Sequence, residues 1–172
     1  MFGIKDITII AVFSAILFIQ EQLFAFIPNV QLTVFLLVLY SKVFGFKKTI
    51  VIVFIHVLLD NIVNGSLNLV YFPFMLIGWG LIPIGLHTVF KKVNGELPLA
   101  FLGVLFSFIY CFMFIIPSCV VYEYKFIEYL MVDVLWELVL ALSSFLTILW
   151  LYKPCARLLN NMINKDMERG SC

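Results

Sequence analysis

Apolar runs too long to be strands, and too numerous for one small core, set the terms for this chain. They cover residues 7–26, 30–44, 49–63, 69–90, 97–117 and 130–152, with short polar stretches between them. In a chain of 172 residues, 64% apolar side chains against 12% charged ones exceed what a water-soluble interior can hide. A bilayer is the solvent that fits. Lipid leaves no water to satisfy the backbone, so only helices or a closed barrel can cross it. Barrel strands alternate apolar and polar residues over about ten positions; these runs do not. The expectation is an all-α integral membrane protein, a compact bundle of six transmembrane helices in a single domain, 1–172. The polar residues 153–172 are expected to form a short helical tail.

The second and third runs are short. About 15 residues of helix reach roughly 22 Å, against about 30 Å of hydrocarbon. A re-entrant hairpin would explain this, but Lys42, Lys47 and Lys48 at its turn need water. Two full spans are the preferred reading, with snorkelling and local thinning covering the shortfall.

With the N-terminus placed inside, ten of the eleven Lys and Arg residues fall on the inner side, all but Lys125. Positive charge marks cytoplasmic loops, so both termini are expected in the cytoplasm and the protein in the plasma membrane. The first run has a single early Lys5 and no small-residue cleavage site, and reads as a retained span.

Several functions find no support. The net charge is +1, and no basic–aromatic interleaving points to nucleic acid. There is no phosphate-binding G-x-x-x-x-G-K-[ST] loop, no H-E-x-x-H and no G-x-S-x-G. Cys111, Cys119, Cys155 and Cys172 show no metal-binding spacing, so neither a metal nor a cofactor is expected. The cytoplasmic loops are too short for a catalytic domain. No internal repeat of the kind that builds a self-contained transporter is visible.

Polar residues at membrane depth are costly and mark function. The acidic ones crowd toward the outer half. In the last run Asp133, Trp136, Glu137, Leu140 and Ser144 share one helical stripe. The carboxylates, four residues apart, repel one another. They either wall a cavity or sit solvated among headgroups. His56, Asp60 and Asn64 share a face of the third run. That face suits a His–Asp bond between helices, a proton relay, or a metal site completed by other ligands. Gln20, Glu21 and Gln22 end the first run, pointing three ways around the helix. Pro73, Gly78, Trp79, Gly80 and Pro83 suggest a bent or interrupted fourth helix, where Trp79 either stacks on a ligand ring or packs. Ala11 and Ala15 form a small-xxx-small pair that allows close helix approach.

Several of these features coincide: six spans with both termini inside, the Ala11–Ala15 pair, and Ile27-Pro28-Asn29-Val30-Gln31-Leu32 leading into the second span. The segments Leu39-Tyr40-Ser41-Lys42-Val43-Phe44-Gly45 and Leu151-Tyr152-Lys153-Pro154 add to them. Together they resemble, over nearly the whole chain, the substrate-binding S components of energy-coupling factor transporters, the bacterial vitamin importers. The resemblance implies capture of a vitamin-like micronutrient at the outer face, with release driven by a coupling membrane subunit and two ATPases. The chain itself would be no enzyme and use no cofactor; ATP would serve only the partners. Ala11 and Ala15 would meet the coupling subunit. An outer pocket would draw on Gln20, Glu21, Asn29, Asp60, Asn61, Trp79, Asp133, Trp136 and Glu137. Their acidic and aromatic character suits a neutral or cationic ring compound better than a polyanion. Small scaffolds of the cell-wall elongation machinery share the layout without needing a pocket. A self-contained carrier using His56 and Asp60 as a proton relay is the remaining alternative.

Overall fold

The computed structural model describes residues 2–27, 29–63, 69–123 and 125–169, with backbone alone at 122 and 165–169. Pro28, Asn64 and Cys172, all used in the sequence reading, lie outside that set. Among the described residues the chain is all-helical. Six helices follow in order: α1 (Ile4–Phe24), α2 (Thr33–Phe44), α3 (Phe46–Val63), α4 (Tyr71–His87), α5 (Glu96–Tyr122) and α6 (Phe126–Arg169). Three of them, α1, α5 and α6, are long and apolar enough to cross a membrane; α2 and α4 are apolar but shorter. Large hydrophobic side chains stand exposed along α1, α5 and α6, among them Ile7, Leu23, Phe101, Ile116, Leu135 and Leu142. So much outward apolar surface belongs in lipid.

The organising element is α2. Residues 33–41 are all buried, whichever way they point. A helix that is apolar all round is stable only when enclosed, and α2 packs against each of the other five. It ends at Gly45, whose φ of 82° suits a residue without a Cβ. That single residue separates α2 from α3, and its carbonyl accepts bonds from the Thr49 N–H (3.3 Å) and Oγ1 (2.9 Å). The most extensive pairing joins α5 and α6. There Gly103 lets Ile148 approach so closely that an added Cβ would collide with its Cδ1. Ser107 donates to Ser144 across the same seam at 2.9 Å. By contrast α1 touches only α2 and α3 among the described helices.

Most of the cationic residues collect at one end of the bundle, while Lys125 pairs with Glu128 at the other. Lys48 pairs with Asp6 at 2.7 Å, and Lys153 with Glu96 at 3.4 Å. Lys42 reaches from α2 to the Val93 carbonyl at 2.7 Å.

Two expectations are corrected. The fourth helix is not interrupted. Pro73 lies in its first turn, where no backbone donor is needed, and α4 continues through Pro83. Nor is the tail a separate short helix. The sixth helix runs unbroken through Pro154 to Arg169, because Cys155, Ala156 and Leu159 continue to pack on the core.

Candidate functional site

At the end of the bundle opposite the lysines lies a cavity of about 400 Å³. Its walls come from the end of α1, the linker to α2, and one face each of α3, α5 and α6. Glu21, Asp60 and Asp133 supply three carboxylates, and Tyr110, Phe114 and Tyr129 supply aromatic surface. Asn29, Gln22 and Gln31 add amide groups. No lysine or arginine is among its described lining residues.

The linker wall is pinned on both sides. Gln20, buried in the last turns of α1, donates to Thr33 Oγ1 at 2.8 Å and accepts from the Leu32 N–H at 2.8 Å. Ser143 of α6 donates to the Gln31 carbonyl at 3.3 Å. Between these anchors Asn29 takes a left-handed φ of 57°, a conformation that asparagine tolerates better than most residues. The linker therefore presents Asn29 and Gln31 to the cavity from a fixed backbone.

The α5 wall is an aromatic ladder. Tyr110 stacks on fully buried Trp79, with ring centres 3.6 Å apart and planes 20° from parallel. Phe114 lies 4.9 Å from Tyr110, and Tyr71 lies 5.8 Å from Phe114. Gly78 makes room for this ladder, since a Cβ there would meet Tyr110 Cδ2 at 2.8 Å. The glycines of α4 thus serve close packing.

The acidic groups differ in setting. Glu21 Oε2 approaches Nε2 of fully buried His56 to 3.2 Å, linking α1 to α3, although neither atom has a well-aligned hydrogen bond. Glu137 is buried beneath Asp133 on the same face of α6. Carboxylate oxygens of the two lie within 4.8 Å of each other and of Cys111 Sγ. Two full charges at that range repel by about 3 to 4 kcal/mol at an effective dielectric near 20. The pair sits where a cation or a hydrogen-bond donor would be strongly favoured.

Of the residues expected to form a pocket, Glu21, Asn29, Asp60 and Asp133 line this cavity together. The others sit elsewhere. Gln20 braces the linker. Asn61 donates to the Val57 carbonyl and to Met75 Sδ, joining α3 to α4. Trp79 supports Tyr110 from behind, and Trp136 is 40% exposed on the outer face of α6. Glu137 lies just below the lining. Ala11 and Ala15 are exposed on α1, flanking the stripe of buried Ser14 and Leu17. Tyr110, Cys111, Phe114 and Tyr129 escaped the sequence reading. For Tyr110, Cys111 and Phe114 the one available signal was an uneven run of Tyr, Cys and Phe in the fifth apolar segment, which does not stand out where aromatic residues are common, and Tyr129 lies between two runs.

Comparison with protein-family models, with curated proteins and with solved structures returns no match to this chain.

Proposed function

We propose that this chain is the substrate-capture subunit, or S component, of an importer of the energy-coupling factor type. All six helices then cross the plasma membrane, with α2 and α4 in locally thinned bilayer. The lysine-rich end and both termini face the cytoplasm. One observation carries the reading: a walled, polar cavity lies at the end of the bundle remote from most of its cationic residues, with only Lys125, paired to Glu128, near it among the described side chains. A carrier that hands its cargo to separate driving subunits needs an outward pocket and a free helix face. The exposed Ala11 and Ala15 on α1 suit close approach by a coupling subunit. The cavity volume of about 400 Å³ is within the range of small-molecule sites. Its cargo is a vitamin-like ring compound. ATP is hydrolysed by two partner ATPases and not by this chain, which acts as no enzyme.

Native mass spectrometry of the gently purified protein tests the reading, with extraction and identification of any bound compound. A stoichiometric vitamin-like molecule supports it and names the cargo. An empty protein that co-purifies with wall-synthesis enzymes would replace it with the scaffold alternative.

A further inference from the structure

We propose that Cys111, Asp133 and Glu137 form a binding site for a divalent transition-metal ion of the zinc type, set at the edge of the cavity floor. One donor atom from each lies within 4.8 Å of the other two. Cys111 comes from α5, and the two carboxylates stand one turn apart on the facing side of α6. Cys111 is a free thiol, 7% exposed.

An independent observation points to an occupant. Glu137 is only 2% exposed, and its Oε1 is buried without a hydrogen-bond partner among the described residues. A buried carboxylate oxygen needs a donor or a cation. The same carboxylate has an oxygen within 4.8 Å of a second carboxylate and a thiol, and the described lining of the adjoining cavity holds no lysine or arginine.

The donor set selects the class of ion. Magnesium and calcium take oxygen donors alone. One sulphur with two carboxylate oxygens suits Zn²⁺, Co²⁺ or Cd²⁺. Tetrahedral zinc with ordinary Zn–S and Zn–O bonds holds its donors about 3.3 to 3.7 Å apart, so the three side chains would close by about 1 Å on loading. Three protein ligands leave a fourth position open. Cys111 and Asp133 both line the cavity, so that position faces inward. Water or a donor atom of the cavity's occupant would complete it. The ligands come from two helices, with no short spacing to betray them, which is why the sequence predicted no metal. The site stands whether or not the cavity captures a vitamin.

The test uses the full-length, tag-free protein in lipid nanodiscs under reducing conditions, titrated with Co²⁺ alone. The expected result is one equivalent bound, with visible bands of tetrahedral cobalt and a near-ultraviolet thiolate-to-cobalt charge-transfer band, all displaced by Zn²⁺. Cys111→Ser should abolish the charge-transfer band, and Cys119→Ser should leave it intact. Glu137→Gln should weaken Co²⁺ binding at least about tenfold. Circular dichroism and elution profile report whether each variant folds, and the near-isosteric Cys111→Ser carries the test should Glu137→Gln misfold. A wild-type protein without the band, or a band that survives Cys111→Ser, overturns the proposal.

Discussion

At the scale of single residues, the polar side chains divide into those that hold the molecule together and those that face the cavity. Gln20 belongs to the first group. Its amide satisfies both the Leu32 N–H and the Thr33 hydroxyl. Gln20→Leu should destabilise the protein by about 1–3 kcal/mol, because it leaves buried groups unpaired. A lowered thermal midpoint in detergent would show this; an unchanged one would remove Gln20 as the linker's anchor. Asp133 belongs to the second group. If it accepts a hydrogen bond from the cargo, Asp133→Asn should weaken cargo binding by about 1–3 kcal/mol, roughly 5- to 150-fold, at little cost in stability. Equal affinities by calorimetry would return Asp133 to a solvated role. The sequence separates these groups poorly, for a physical reason. Gln20, Asn61 and Glu21 look alike as polar residues in apolar runs, and only the partner brought by another helix decides which one satisfies it. Asn61 finds Met75 from α4, whereas Glu21 finds the cavity.

At the scale of elements, the number and order of the helices were legible because apolar runs and lysine-rich breaks are strong signals. Less legible was what each helix does. The glycines of α4 suggested a break, yet Gly78 and Gly85 accept the rings of Tyr110 and Phe106 from α5. Gly78→Ala is therefore the informative change. Its methyl group must displace Tyr110, which is backed by Trp79 and has little freedom to yield. The expected cost is about 1–3 kcal/mol of stability, together with weaker cargo binding as the ring moves into the cavity. A melt and a binding isotherm that both match wild type would mean the α4–α5 seam can spread. Likewise, the sixth apolar run ends at 152, and the polar residues after it suggested a separate helical tail. Packing of Cys155 and Leu159 on the core carries α6 past Pro154, to a length of about 66 Å for its 44 residues.

For the whole molecule, the two ends are chemically distinct, with lysines paired and anchored at one and carboxylates around a cavity at the other. The charge asymmetry could be read in advance, because it is a property of loops. The cavity could not, because its α5 wall is written in the same aromatic residues that face lipid elsewhere. The loose seat of α1, which touches only α2 and α3 among the described helices, leaves Ala11 and Ala15 facing outward. On the proposed function, Ala15→Trp should therefore spare cargo binding by the isolated chain and abolish ATP-dependent uptake when the partners are present, because it blocks close helix approach. Uptake at the wild-type rate in reconstituted vesicles would remove Ala11 and Ala15 as the proposed docking contact.

The enclosure of α2 also bears on how the protein is made. A ribosome delivers the helices in order, so the innermost one emerges second, before α4, α5 and α6 exist to surround it. Its 12 residues span about 18 Å, too little to cross the hydrocarbon unaided. If α2 spans the membrane as proposed, its first available support is α3, to which Gly45 joins it directly. The centre of the finished bundle thus belongs to a helix made early, whose partners α4, α5 and α6 all follow it in the chain.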